Sequence, residues 1–206
     1  MDVAAKVFTA SIEEFYDPRT GVSHRTLSYA LLDKLAEYAE LSAIDVARLS
    51  STDGWLSEVL AMVEVAYGAT SDDLASLVRA MGFHAAAETI GENECSIINS
   101  VLFTEQRHTA FGDFIRRSKV AFAEGTVSPW YWIVIHGTET TTGVEVEHAA
   151  DALEALNRVV AYSRLSEEQV VDLAGEGFAL FSQVQKAFFT NAQKELELRP
   201  LQLAIA

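Results

Sequence analysis

The feature that most constrains the fold is a hydrophobic pattern with the period of an α-helix along nearly the whole chain. Only three prolines and 11 glycines interrupt 206 residues. The one strand-like run, residues 131–135 (YWIVI), follows Pro129 and continues into a helix-period pattern. The pattern predicts an all-α fold, a compact bundle of about seven helices in a single domain, 1–206. The predicted helices are 2–16, 24–41, a short helix at 43–49, 53–67, a helix capped at Thr70 or Ser71 that reaches about 102, 105–124, 129–163 and 167–195.

Composition and charge exclude several classes of protein. The formal charge of −15 argues against a nucleic-acid partner or an anionic membrane surface, because both require a basic patch. A single cysteine, Cys95, excludes a disulfide framework or a cysteine-based zinc site within the chain. No run approaches 18 apolar residues, and the N-terminal stretch lacks the pattern of a signal peptide. We therefore expect a cytoplasmic protein with a small-molecule partner.

A carboxylate and a histidine lie on the apolar side of the helix at 142–156 (TGVEVEHAADALEAL). At 100° per residue, one narrow sector collects the charged residues Glu147, Asp151, Glu154 and Arg158. Glu145 lies nearly opposite, and His148 lies at the edge of the apolar sector. That sector also contains Ala149, Ala152, Leu153 and Leu156. A buried carboxylate requires a partner, and residues at i and i+3 can reach one metal ion.

Two further helices carry unusual acidic residues. Glu64 is the one charged residue in VLAMVEVAY (59–67), which predicts that it lies in the core. The alternatives to a ligand there are a capped or lysine-paired carboxylate and a carboxylate that reaches solvent at the edge of the helix. His84, Glu88 and Glu92 form an i, i+4, i+8 stripe among alanines. Two neighbouring glutamates repel each other unless a cation or a proton lies between them. The alternatives are a solvated acidic face and a satisfied core histidine.

Together these residues are the ligand inventory of a carboxylate-bridged two-iron site. They are Glu64, His84, Glu88, Glu92, Glu145 and His148. Four carboxylates offset two divalent cations, and oxygen and nitrogen ligands suit iron or manganese. The other histidines fall outside this prediction: we expect His24 to be exposed, His108 to lie on a helix surface and His136 to lie nearer the solvent face.

The chain resembles the heme-oxygenase-like dimetal oxidases, a family of seven-helix non-heme iron enzymes. Residues 132–153 (WIVIHGTETTTGVEVEHAADAL) are similar to the family's third core helix, where an acid and a histidine three apart bind metal. The resemblance implies those roles for Glu145 and His148. The family's other glutamate ligands correspond to the regions of Glu64 and Glu88/Glu92. The sequence departs from the family at Thr141, where another histidine is usual.

The resemblance implies two Fe²⁺ ions, O₂ as co-substrate and an external reductant. The expected reaction is oxidation of an unactivated C–H bond in a small aliphatic, amino-acid-like substrate, by desaturation or cyclisation in a natural-product pathway. The threonine run around residue 140 could line a polar substrate pocket, with Thr138 and Thr141 as the expected contacts.

Three alternatives remain open. A ferritin-like metal oxidase would use the same ligands on four long helices. A metal-free, thiaminase-type enzyme would use Glu145 or Glu88 as a general acid or base. A non-enzymatic interaction domain would place Glu64, Glu88 and Glu145 on the surface.

The phenylalanines at 178, 181, 188 and 189 form either a homodimer face or plain core.

Overall fold

The structure, a computed structural model, describes residues 14–51, 54–67, 73–136 and 144–198, with the backbone alone at 92, 144–147 and 198. These residues contain eight α-helices and one two-stranded antiparallel hairpin. The prediction of an all-α fold is therefore confirmed.

The helices and strands follow one another in a simple order. The helices are α1 (His24–Tyr38), α2 (Ala43–Leu49), α3 (Trp55–Ala66), α4 (Leu74–Ile98), α5 (Ala110–Arg117), α6 (Tyr131–His136), α7 (Val144–Tyr162) and α8 (Glu167–Leu198). A π-helical segment, Asn99–Thr104, continues α4. The strands β1 (Val120–Ala121) and β2 (Thr126–Val127) pair between α5 and α6.

Side-chain caps set several helix starts. The Ser23 side chain accepts a hydrogen bond from the backbone N–H of Thr26, so α1 begins at His24 as predicted. Ser42 and Asp45 form a capping box at α2, and Thr109 caps α5 in the same way as Ser23 caps α1.

One of the predicted helices is wrong over much of its length. The helix expected at 105–124 is confined to Ala110–Arg117, because the following segment turns back into the hairpin. Phe122 N–H donates to the carbonyl of Gly125 at 2.7 Å and closes its turn. Within the helix expected at 129–163, the structure describes α6 and α7, both helical as predicted. Residues 137–143 between them lie outside the described residues, so the continuity of this helix stays a prediction. The YWIVI run is helical, as predicted.

The chain divides into two compact units. The first unit comprises residues 1–50 and 87–163, and the second comprises residues 51–86 and 164–206. The single domain expected from the sequence stays a prediction. The core of the first unit forms where α1, α5 and α6 bury Leu31, Ile115, Trp130 and Ile133. Burial of these large apolar side chains stabilises the unit in which the histidines at 24 and 136 lie.

The second unit is built on close helix packing. Helices α3 and α8 pack together, and the core contains Val59, Ala66, Phe83 and Val184. A Cβ at Gly82 would lie 2.3 Å from the carbonyl oxygen of Ala174, and one at Gly177 would lie 2.1 Å from that of Arg79. Glycine at both positions therefore permits backbone contact between α4 and α8.

Candidate metal centre

Two buried histidines and a glutamate meet in the first unit. Nδ1 of His24 lies 2.9 Å from Oε1 of Glu14, and Nε2 of His136 lies 3.5 Å from the same oxygen. One potential ligand atom from each residue lies within 4.8 Å of the others. The His24 and His136 side chains are 3% and 6% exposed, against 46% for Glu14. The Glu14–His24–His136 cluster is therefore enclosed by protein at its imidazoles and open to water at its carboxylate.

A tight turn brings Glu14 back toward His24. The Asp17 carboxylate accepts hydrogen bonds from the backbone N–H of Thr20 at 2.9 Å and from its hydroxyl at 2.8 Å. Asp17 N–H donates to the carbonyl of Val22 at 2.8 Å and closes the turn. Aspartate favours such turns because its side chain bonds to the backbone that follows it. The turn fixes the distance between the end of the N-terminal segment and the first residue of α1.

The same aspartate ties α6 to the turn. The Tyr131 hydroxyl donates to Oδ2 of Asp17 at 2.9 Å, across 114 residues of sequence. Burial raises the pKa of Asp17, but hydrogen bonds from Thr20 and Tyr131 outweigh it and hold the pKa below its ordinary value of 3.8. Burial, followed by the bond to Asp17, raises the pKa of Tyr131 to about 12. The bond therefore joins a neutral phenol to an ionised carboxylate at neutral pH.

His136 is oriented by a backbone carbonyl. Its Nδ1 lies 2.7 Å from the carbonyl oxygen of Trp132, one turn earlier on α6. A carbonyl oxygen only accepts, so Nδ1 carries a proton and Nε2 is the nitrogen that faces Glu14. The ring of His24 meets that of His136 edge-on, with centroids 4.7 Å apart. Metal-binding histidines are typically oriented by such a bond from the other ring nitrogen.

The electrostatics of the cluster favour an ionised carboxylate. Burial raises the pKa of Glu14, but hydrogen bonds from His136 and His24, together with their charge, outweigh it. The pKa of Glu14 is consequently well below its ordinary value of 4.5. A negative oxygen thus faces two buried imidazoles, and either protons on the rings or a cation can balance it.

The donor set fits a divalent transition metal. It offers one carboxylate oxygen and two imidazole nitrogens from three separate segments, all close enough to reach one ion. Nitrogen and oxygen ligands without thiolate suit Fe²⁺, Mn²⁺ or Zn²⁺. Three protein ligands leave coordination positions for water or substrate, and the exposed side of Glu14 gives them access to solvent.

The sequence interpretation missed this cluster. His24, expected to be exposed, and His136, expected near the solvent face, are both buried, so these predictions were wrong. A helical wheel cannot detect such burial, because it depends on how α1 and α6 pack. One usable signal was present: His136 ends the apolar run YWIVIH. A second was Glu14 and His24 on either side of the turn-forming DPRTG.

The structure brings two of the predicted ligands together. Nδ1 of His148 on α7 lies 3.5 Å from Oε2 of Glu88 on α4, and their side chains are 5% and 18% exposed. Sixty residues separate them in sequence, and both belong to the first unit. The apolar sector predicted on α7 is also largely present, since Ala152 and Leu156 are buried, although Leu153 is 48% exposed.

The other described candidates belong to the second unit. Glu64 is exposed, so its predicted place in the core was wrong: it lies on the outer side of α3, whose buried residues are Val59 and Ala66. Nδ1 of His84 lies 3.3 Å from the hydroxyl of Tyr67. The ligand roles of Glu64 and His84 stay predictions. The side chains of Glu92 and Glu145, and the whole of Thr138 and Thr141, lie outside the described residues.

Comparison with known proteins finds no matching family model, no similar curated protein and no similar solved structure. Among the described residues, no helix combines the length and the apolar character needed to cross a membrane.

Proposed function

We propose that this chain is a non-heme iron enzyme that uses O₂ to oxidise an unactivated C–H bond. The observation that carries the proposal is the Glu14–His24–His136 cluster, two buried imidazoles and one carboxylate around a common point. Such a set with open positions is typical of iron(II) centres that react with O₂. The substrate class, a small aliphatic, amino-acid-like molecule that is desaturated or cyclised, rests on the resemblance. So do the heme-oxygenase-like architecture and a place in natural-product biosynthesis.

The proposal includes a second metal position at Glu88 and His148. A buried imidazole 3.5 Å from a largely buried carboxylate supplies two of its ligands. Glu145, three residues before His148 on α7, is the expected third ligand. Iron is the metal proposed at both positions, with manganese as the chemically closest substitute.

When bound, iron supplies the reaction with O₂, and the residues of the chain bind and orient it. The Trp132 carbonyl fixes the His136 ring with Nε2 toward Glu14. The Glu14 carboxylate supplies the negative charge that a divalent cation requires. Burial of both imidazoles excludes water from one side, so a co-substrate approaches from the side of Glu14.

The first test is iron stoichiometry and O₂ uptake. Full-length protein is loaded with Fe²⁺ under anaerobic conditions, and iron is counted before and after buffer exchange. We expect about two iron ions per chain, as for two-metal carboxylate centres. His136→Ala removes one and His148→Ala the other. His108→Ala is the matched control, because His108 is exposed and outside both sites. The loaded protein should consume O₂ faster when small aliphatic amino acids are added.

The outcomes separate the alternatives. Iron that His136→Ala and His108→Ala retain equally would show that the cluster is not a ligand set. No iron above background in the unmodified chain would overturn the oxidase. It would favour a metal-free enzyme in which a carboxylate beside a histidine, Glu14 or Glu88, transfers protons.

A further inference from the structure

A cationic patch lies at residues 107–119 of an otherwise acidic chain. Four exposed cations occur in this segment with a single acidic residue, Asp113; they are Arg107, Arg116, Arg117 and Lys119. The formal charge of the whole chain is −15. The charge of this segment is therefore positive on a negatively charged molecule. The difference in charge creates a directional electric field around the first unit.

The fold gathers the cations around α5. A Cβ at Gly112 would lie 2.8 Å from the Cα of Arg107, so the segment before α5 packs back against the helix. Arg116 and Arg117 end α5, and both guanidinium groups reach Asp113. Arg117 remains 83% exposed. An open depression of about 490 Å³ lies on the same side, lined by Ala110, Asp113, Phe114, Arg117 and Ser118.

The inner side of α5 packs against the apolar core of the first unit. Phe114 packs against the core that contains Trp130, and Trp132 packs against the same core. The Trp132 ring lies 5.0 Å from that of His136, measured between centroids. The helix that carries the patch and the neighbour of a proposed iron ligand therefore pack against the same apolar core.

The proposed reaction needs electrons from outside the chain. Reduction of O₂ to two water molecules takes four electrons and four protons. Desaturation of a substrate supplies two of each, as two C–H bonds break and one C=C bond forms. The remaining two electrons and two protons come from a reductant and solvent. A one-electron donor protein must therefore bind twice, or two copies must bind in turn.

We propose that the cationic patch is the docking surface of a small acidic one-electron-transfer protein, such as an iron–sulfur protein. The proposal rests on the proposed function. An acidic donor is repelled by most of this surface and attracted by the patch, so charge alone orients it with α5 at the interface. Nucleic acid is disfavoured as the partner. Its phosphates would be repelled by the acidic surface along most of its length and attracted only at one short patch.

The test measures binding separately from iron chemistry. The probe is an acidic [2Fe–2S] ferredoxin, titrated in its oxidised form into the full chain by calorimetry at low salt. Arg116→Glu/Arg117→Glu is the patch variant. Arg164→Glu/Lys186→Glu, at exposed positions of the second unit, is the control with the same change in net charge. We expect the patch variant to bind about tenfold more weakly or worse, with a difference that shrinks as salt is added.

A milder variant, Arg117→Gln/Lys119→Gln, guards against misfolding and should lose a smaller part of the affinity. Electron transfer from reduced ferredoxin to protein whose bound iron has been oxidised to Fe³⁺ by O₂ should slow with the weaker binding, whereas reduction of the same Fe³⁺ by dithionite should not. Equal affinity of the patch and control variants, or no binding to the unmodified chain, overturns the docking surface. Patch-dependent binding to a protein that takes up no iron supports the surface and overturns the oxidase.

Discussion

Asp17 holds together the segments that carry the candidate metal ligands. It is 5% exposed and accepts hydrogen bonds from Thr20 and from Tyr131. Asp17→Ala leaves these donors without their acceptor and should lower the free energy of unfolding by about 2 kcal/mol. Urea denaturation measures the loss. Asp33→Ala, at an exposed position of α1, should stay within about 0.5 kcal/mol of the unmodified protein. Equal effects of the two changes would show that the turn does not depend on Asp17.

The stabilisation from the hydrogen bond between Tyr131 and Asp17 should depend on pH in the alkaline range. Its pKa is raised from 10.0 to about 12 in the folded chain. The stabilisation is therefore fully present below pH 10 and is lost as the pH rises toward 12. Tyr131→Phe should be less stable than the unmodified protein at pH 8, and the gap should narrow through this window. Tyr162→Phe, at a 71% exposed side chain, is the control. A gap between Tyr131→Phe and the unmodified protein that stays constant up to pH 12 would contradict the assignment.

The candidate site was predictable only where local periodicity controls it. The i, i+3 and i, i+4 spacings indicated Glu88 and His148, and the structure places them 3.5 Å apart. Glu64 was misplaced because a run of nine residues, eight of them apolar, does not reveal which side of α3 meets α8. His24 and His136 were missed because their burial depends on contacts between residues more than 100 positions apart.

At the scale of helices and strands, the helix starts could be predicted from the sequence, whereas the short hairpin could not. The starts of α1 and α2 were predicted at residues 24 and 43, where the structure has them, and the side chains of Ser23 and Ser42 cap the two helices. The hairpin escaped prediction because its strands are two residues long and carry no alternating pattern. The hairpin has two pairs of facing residues, and the hydrogen bond from Phe122 N–H to the carbonyl of Gly125 closes the turn between its strands.

Packing between α4 and α8 makes a prediction at this scale. A Cβ at Gly82 would overlap the backbone of Ala174, whereas one at Gly175 would meet open space. Gly82→Ala should therefore destabilise the second unit by about 1–3 kcal/mol, because backbone cannot yield easily. Gly175→Ala should stabilise it by about 0.5–1 kcal/mol through helix propensity. Urea denaturation followed by circular dichroism measures both changes. Equal signs for the two would contradict this description of the interface.

At the scale of the whole molecule, we expect metal binding to raise the free energy of unfolding of one of the two units, the unit that contains the ligands. The proposed ligands Glu14, His24 and His136 all belong to the first unit. A ligand that binds the folded state alone stabilises it by about 2.7 kcal/mol at a hundredfold excess over Kd. Fe²⁺ under anaerobic conditions should therefore raise the unfolding midpoint of the first unit.

Tryptophan fluorescence can isolate that effect. Trp55 lies in the second unit, so a Trp55→Phe background leaves Trp130 and Trp132 as reporters of the first. In this background, Fe²⁺ should raise the thermal midpoint by several degrees and a chelator should reverse the shift. His136→Ala should reduce this shift, because the second metal position at Glu88 and His148 also belongs to the first unit. His136→Ala/His148→Ala should abolish it, and His108→Ala should keep it in full. A shift that keeps its full size in His136→Ala would place the stabilising metal outside the Glu14–His24–His136 cluster, because the cluster without His136 retains two ligands and loses most of its affinity for one ion.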